Sequence, residues 1–120
     1  MIQRLVLDGW QPTSLNRLLR MDKHSRQKAL NCDAWVIGCE AKVQGLTKAT
    51  GRRRVSLVIR HAKGKAVVDP DALYKSLLDG LRKCGLLKDD NRHWLELGPV
   101  TYEAAPKRGL VVVLEEPCLF

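Results

Sequence analysis

Two groups of acidic residues in this chain have the spacing to do chemistry together. Asp69-Pro70-Asp71 is followed one helical turn later by Lys75, and Asp89-Asp90 follows Gly85. Carboxylate oxygens are hard ligands that suit Mg²⁺ or Mn²⁺. An ion held by them could activate an attacking water and stabilise a leaving oxygen, while Lys75 could offset charge on a phosphoryl group. These residue types favour phosphodiester hydrolysis.

Each of these residues also has a purely structural interpretation. Asp at an N-cap, Pro at the first helical position and an acid in the first turn form an ordinary helix start. Asp71 and Lys75 have the spacing of an ion pair on one helix face. Asp89-Asp90 has the composition of a solvated turn. Spacing alone leaves both interpretations open.

The helix predicted over 70–84 must position the acids. Its apolar face repeats at helical spacing through Leu73, Leu77, Leu81 and Cys84, and Gly85 suits the C′ position. At about 1.5 Å per residue, the helix is roughly 20 Å long. Five or six extended residues cover roughly 18–20 Å. We therefore expect Asp90 to return beside Asp69 and Asp71.

The remaining patterns predict a single α+β domain over 1–120. Period-two runs predict strands at 2–7, 53–60, about 94–103 and 109–115, and a helix is expected over 22–43. The apolar stripe of that helix consists of Leu30, Ala34, Ile37 and Ala41. We expect Trp35, in the same helix, to pack in the core. The order β-α-β-α-β-β predicts one mixed sheet with two main helices.

Charge is divided unevenly along the chain. Residues 1–65 hold 14 Lys and Arg against 4 Asp and Glu, a net charge of +10, and residues 66–120 hold 7 against 9, a net charge of −2. The sequence pI is about 9.6. This balance favours nucleic acid as the partner, although a charged, exposed strand edge is the alternative for any one cluster. The candidate DNA contacts are Asn16, Arg17, Arg52, Arg53, Arg54, Arg60, Lys63 and Lys65.

Other classes of protein are disfavoured by the sequence. No apolar run approaches the roughly 18–20 residues of a membrane span, and the first residues lack the pattern of a secretory signal. The cysteines and histidines do not have zinc spacing, and we expect reduced thiols. They are Cys32, Cys39, Cys84, Cys118, His24, His61 and His93. We expect a soluble, cytoplasmic protein with no membrane partner and no small-molecule cofactor.

The acidic block resembles the RusA family of Holliday-junction resolvases, which is common in phages and prophages. The matching residues are Asp69-x-Asp71-x-x-x-Lys75-x-x-x-Asp79-Gly80-Leu81, followed by Gly85-Leu86-Leu87-x-Asp89-Asp90. Pro12-Thr13-Ser14-Leu15-Asn16-Arg17 also resembles the P-x-S-x-N entry motif of the family. The resemblance covers nearly the whole chain, is specific at 69–90, and is weak after about residue 91.

The resemblance implies a homodimeric endonuclease, dependent on Mg²⁺ or Mn²⁺, that nicks four-way DNA junctions symmetrically. By the same resemblance Asp69, Asp71 and Asp90 are metal-binding aspartates, Lys75 is the catalytic lysine and Asp89 is a supporting acid. The family commonly has Asn where this chain has Ala72, so an amide that could orient a ligand is missing. Such a protein would work in a bacterial or phage-infected cell.

Two alternatives remain at the level of sequence. One is a non-catalytic nucleic-acid-binding module, in which Asp69-Pro70-Asp71 only begins a helix. The other is a nuclease with less structural selectivity that acts on branched DNA or RNA. The first would bind nucleic acid with strong salt dependence and cleave nothing.

Overall fold

Four strands form one mixed sheet in a computed structural model that describes residues 1–116. The elements in chain order are β1 (Ile2–Asp8), α1 (Leu15–Arg20), α2 (Lys23–Val43), β2 (Arg53–Ala62), α3 (Pro70–Lys83), β3 (Leu95–Ala105) and β4 (Gly109–Glu115). The sheet order is β1-β4-β2-β3. The pairs of β4 with β1 and with β2 are antiparallel, and β2 with β3 is parallel. The α+β prediction is confirmed.

Helix α3 connects the two parallel strands, which need such a crossover. Asp69 caps its first turn, and Gly85, at φ +83°, provides the left-handed residue that ends it. Its apolar face packs into the core through Leu73, Leu77 and Leu81, all at most 1% exposed. The predicted helix over 70–84 is therefore confirmed to within one residue.

Helix α2 packs against α3 on the same side of the sheet. Asp22 caps α2 by accepting a hydrogen bond from the Ser25 N–H at 2.7 Å. Leu30, Ile37 and Ala41 are buried as expected, but Trp35 is 72% exposed. The prediction that Trp35 packs in the core was wrong, since two residues correspond to about 200° of rotation and place it opposite Ile37.

The core is one cluster to which α2, α3 and all four strands contribute. The short helix α1 is an addition to the predicted elements, in a segment that its sequence presents as turn and basic residues. No helix in the part of the chain that the structure describes is both long and apolar enough to cross a membrane. Cys32, Cys39 and Cys84 are free thiols, and Cys118 lies outside the described residues.

Candidate functional site

The start of α3 presents two exposed carboxylates. Asp69 Oδ1 accepts a hydrogen bond from the Asp71 N–H at 3.0 Å, so the capping role is real. That bond uses one oxygen of Asp69. Within residues 1–116, no hydrogen bond or ion pair engages its second oxygen or the Asp71 carboxylate. The helix start is therefore both a structural cap and a pair of available oxygen ligands.

Lys75 lies one turn into α3 and is exposed. The i,i+4 ion pair with Asp71 does not form, and no described residue makes an ion pair with Lys75. Asp79, at the next position of the same spacing, instead contacts Arg82 at 3.1 Å and Lys83 at 2.9 Å. The structural interpretation of Asp71 and Lys75 as an ion pair is thus not realised, and both charged groups face solvent.

Tyr74 is a neighbour of the site that was not among the predicted site residues. Burial raises the pKa of the Tyr74 phenol above its ordinary value, and the charges of Asp71 and Tyr102 raise it further. The half-buried phenol is therefore close enough to Asp71 to feel the charge of its carboxylate. The i,i+3 spacing of Asp71 and Tyr74 was a usable signal, whereas the approach of Tyr102 depends on the sheet.

The segment after α3 does turn back, but it is anchored at the beginning of β2. The carbonyl of Leu86 accepts from the Arg53 guanidinium at 3.1 Å, and the carbonyl of Trp94 accepts from the Arg53 N–H at 2.9 Å. Asp90 is exposed between these anchors, and its N–H donates to Asp89 Oδ1 at 2.8 Å. The turn carrying Asp89 and Asp90 is therefore held mainly at its two ends.

The structure does not bring Asp69, Asp71 and Asp90 into one group. Among residues 1–116 there is no set of three or more His, Cys, Asp or Glu side chains placed to hold a metal ion. Two of the three expected oxygen ligands are adjacent at the start of α3. The third is on a separate turn.

The exposed arginines of β2 and the segment before it face acids of β3. Arg54 Nε lies 3.0 Å from Glu96, and Arg52 lies 4.0 Å from the same carboxylate. Arg60 Nε is 3.9 Å from Glu103. Lys63 and Lys65, in the turn after β2, are exposed and have no ion pair in the described part of the chain. The predicted basic surface is thus most cationic at the end of β2.

Arg53 does not belong to that surface. It is 1% exposed, and its guanidinium donates to Glu116 and to three backbone carbonyls, those of Leu86, Thr47 and Lys48. The expectation that it contacts DNA is corrected. Position 53 shares the inward face of β2 with Val55, so its charge is used to join segments of the protein.

The entry motif is tied to α3 by a buried aspartate. Asp33 Oδ2 accepts from the Thr13 N–H at 2.7 Å and from the Ser76 hydroxyl at 2.6 Å. Asn16 and Arg17 are exposed on α1, beside this link. Arg17 and Asp33 line a cavity of about 320 Å³ that also includes Val68, the residue before Asp69. The link therefore positions Arg17 near the start of α3.

No protein-family model matches this chain, and no curated protein does either. The candidate site therefore depends on its own geometry. It combines two available carboxylates, an exposed lysine one turn away that has no ion pair within residues 1–116, and an arginine on the entry motif. The carboxylates can bind a divalent cation, and the lysine and arginine can bind a phosphate anion beside it.

Proposed function

We propose that this protein is a metal-dependent endodeoxyribonuclease that resolves four-way DNA junctions. The observation that carries the proposal is the pair of exposed carboxylates on Asp69 and Asp71, with the exposed Lys75 one helical turn away. The resemblance of the sequence to the junction-resolvase family supports the choice of substrate. The observed order of helices and strands is compatible with that resemblance. The protein would act in the cytoplasm of a bacterial or phage-infected cell.

The residues present fit Mg²⁺ or Mn²⁺ in part. Asp69 and Asp71 supply hard oxygen ligands, and Asp90 would complete the set by movement of its exposed turn. Bound there, the ion would lower the pKa of an attacking water and stabilise the leaving oxygen. Asp89, whose carboxylate accepts the Asp90 N–H, would hold that turn in a supporting role.

Lys75 would bind a non-bridging oxygen of the cleaved phosphate and offset the charge that develops on it. Tyr74, which keeps its proton, would donate a hydrogen bond beside Asp71. Arg17 on α1, with its neighbour Asn16, would position the strand across the start of α3. Each of these roles is binding or orientation by a side chain that already lies at or near the helix start.

A homodimer suits this substrate. A four-way junction is resolved by nicks in two opposed strands, and a two-fold dimer presents two identical sites. The exposed cations Arg52, Arg54, Lys63 and Lys65 would bind the junction arms. Their contribution should weaken with salt, because phosphate contacts release counterions.

Cleavage of a substrate panel tests the proposal. A labelled four-way junction, a flap, a linear duplex and a single-stranded RNA are incubated with the protein, with and without Mg²⁺. We expect paired nicks in the junction alone, and only with metal. Comparable cutting of flap or RNA would support the less selective nuclease, and salt-sensitive binding without cutting in Mg²⁺ or Mn²⁺ would support the non-catalytic module.

A further inference from the structure

A second cavity lies at the end of β2, and we call it the β2-end pocket. It has a volume of about 430 Å³ and lies between the end of β2, the segment before α3 and the turn from β3 to β4. Its polar lining is mostly cationic. The residues that matter here are Arg60, His61, Lys65, Val68, Lys107 and Arg108.

Two of the residues that line the β2-end pocket each carry a buried nitrogen with no hydrogen-bond partner among residues 1–116. Arg60 Nε and His61 Nδ1 are both shielded from solvent and make no hydrogen bond within residues 1–116. Glu103 lies 3.9 Å from Arg60 Nε, which is too far for a hydrogen bond. Buried polar groups in proteins are nearly always hydrogen-bonded, so the unpartnered Nε of Arg60, a residue that lines this pocket, requires an explanation.

Two backbone acceptors near the pocket already bind Gln11. Gln11 Nε2 donates to the Arg60 carbonyl at 3.2 Å and to the Gly109 carbonyl at 3.0 Å. No acidic side chain lines the β2-end pocket in the described part of the chain, whereas four lysines and arginines do. The pocket therefore has an excess of positive charge, and the ligand that suits it is an anion with several acceptor oxygens.

We propose that the β2-end pocket binds a phosphate group, and that the phosphate belongs to the nucleic-acid backbone beside the cleavage position. Arginine binds phosphate oxygens through charge-assisted hydrogen bonds. Val68 lines the pocket and immediately precedes Asp69, and it also lines the cavity that contains Arg17. A strand that passes from Arg17 across the start of α3 would therefore place a neighbouring phosphate here.

Phosphate binding itself is independent of the proposed nuclease activity, but the assignment to a DNA backbone rests on that activity. The shared chemistry is a phosphate, which could also come from free inorganic phosphate. The two sources can be separated by titrating the same protein with each of them. Binding is followed by NMR through the ring resonances of His61.

We expect inorganic phosphate to shift the His61 resonances in a saturable way. A four-way junction, added without divalent metal, should displace the phosphate. Arg60→Gln should weaken phosphate binding roughly tenfold or more, since it removes a charged donor. Arg82→Gln, at the far end of α3 where Arg82 pairs with Asp79, should leave it unchanged. If Arg60→Gln does not fold, Lys65→Gln on the exposed rim should give a smaller loss.

The absence of a saturable shift with either ligand would refute the proposal that the β2-end pocket binds phosphate. An equal loss of binding in Arg60→Gln and Arg82→Gln would also refute it, because binding would then depend on the net charge of the protein and not on Arg60. Phosphate binding that the junction does not displace would overturn the backbone assignment alone. Failure of nuclease activity with intact, displaceable phosphate binding would refute the proposed function and leave the pocket standing.

Discussion

Arg53 is a buried charge at the beginning of β2. It stands between two exposed arginines, and the composition of 52–54 indicates a surface cluster. Its alternation with Val55, Leu57 and Ile59 instead predicts the inward face of a strand. The structure follows the alternation, because four hydrogen bonds compensate the burial of the guanidinium. Pattern was the better guide here than charge.

Replacing Arg53 should be costly. Arg53→Gln would remove the charged partner of Glu116 and the donor to the buried Leu86 carbonyl, and we expect a loss of about 3–5 kcal/mol in the free energy of unfolding. Arg54→Gln is the matched control and should cost less than about 1 kcal/mol, because its pair with Glu96 is exposed. Urea unfolding measures both. Equal effects would contradict the assigned role of Arg53.

Glu116 should make stability depend on pH in the acid range. The Thr50 hydroxyl, followed by Arg53, holds the pKa of Glu116 below its ordinary value. A lowered folded-state pKa stabilises the protein above the unfolded value of about 4.3 and ceases to do so as pH falls through the folded value.

We therefore expect the stability advantage of the wild type over Glu116→Gln to shrink as the pH is lowered from about 6 to about 3. Urea unfolding at several pH values measures this difference. An advantage that stays constant over the range would show that Glu116 titrates normally.

At the scale of elements, locally encoded features were predictable and long-range ones were not. The limits of α3 follow from Asp69, Pro70 and Gly85, which act on their own helix. Helix α1 is six residues long, and Asp33 stabilises its approach from the middle of another helix. The hydrogen bond from the Thr13 N–H to Asp33 joins residues 20 apart in the chain, and a contact over that separation leaves no periodic signal in the sequence.

The contact between α2 and α3 depends on Gly80. A Cβ at position 80 would lie 2.6 Å from Ile37 Cδ1 and 3.3 Å from the Ala34 Cα. Although Ala has the higher helix propensity, we expect Gly80→Ala to destabilise the protein by about 1–3 kcal/mol, because Ile37 is fully buried. Thermal unfolding measures the change.

Gly38→Ala on the facing helix is the control for that variant. Its added Cβ would meet only Cys84 Cβ, at an ordinary 3.5 Å. We expect it to be neutral or to stabilise by up to about 1 kcal/mol, as helix propensity alone dictates. A stabilised Gly80→Ala would show that the two helices can separate at little cost.

At the scale of the whole molecule, the sequence predicted the paired acids but not the position of the third. Gly85 reverses the chain as expected, and the length of 85–90 allows a return to the start of α3. Arg52 and Arg53 instead anchor the segments on either side of Asp90 to the beginning of β2. The distance that residues 85–90 can span follows from their number alone, whereas the anchoring of the turn that carries Asp90 depends on tertiary contacts.

Single-turnover nicking of a labelled four-way junction in Mg²⁺ tests the central claim most directly. Wild type and Glu40→Gln, which neutralises an acid on α2 that lines neither cavity, should cut at similar rates. Asp71→Asn should bind the junction but cut it much more slowly. Loss of a group that only supports a metal ligand typically costs roughly 10–100-fold, and we expect the loss of Asp71, a ligand itself, to cost more. Cutting by Asp71→Asn at the wild-type rate, or no metal-dependent cutting by the wild type, would contradict the account.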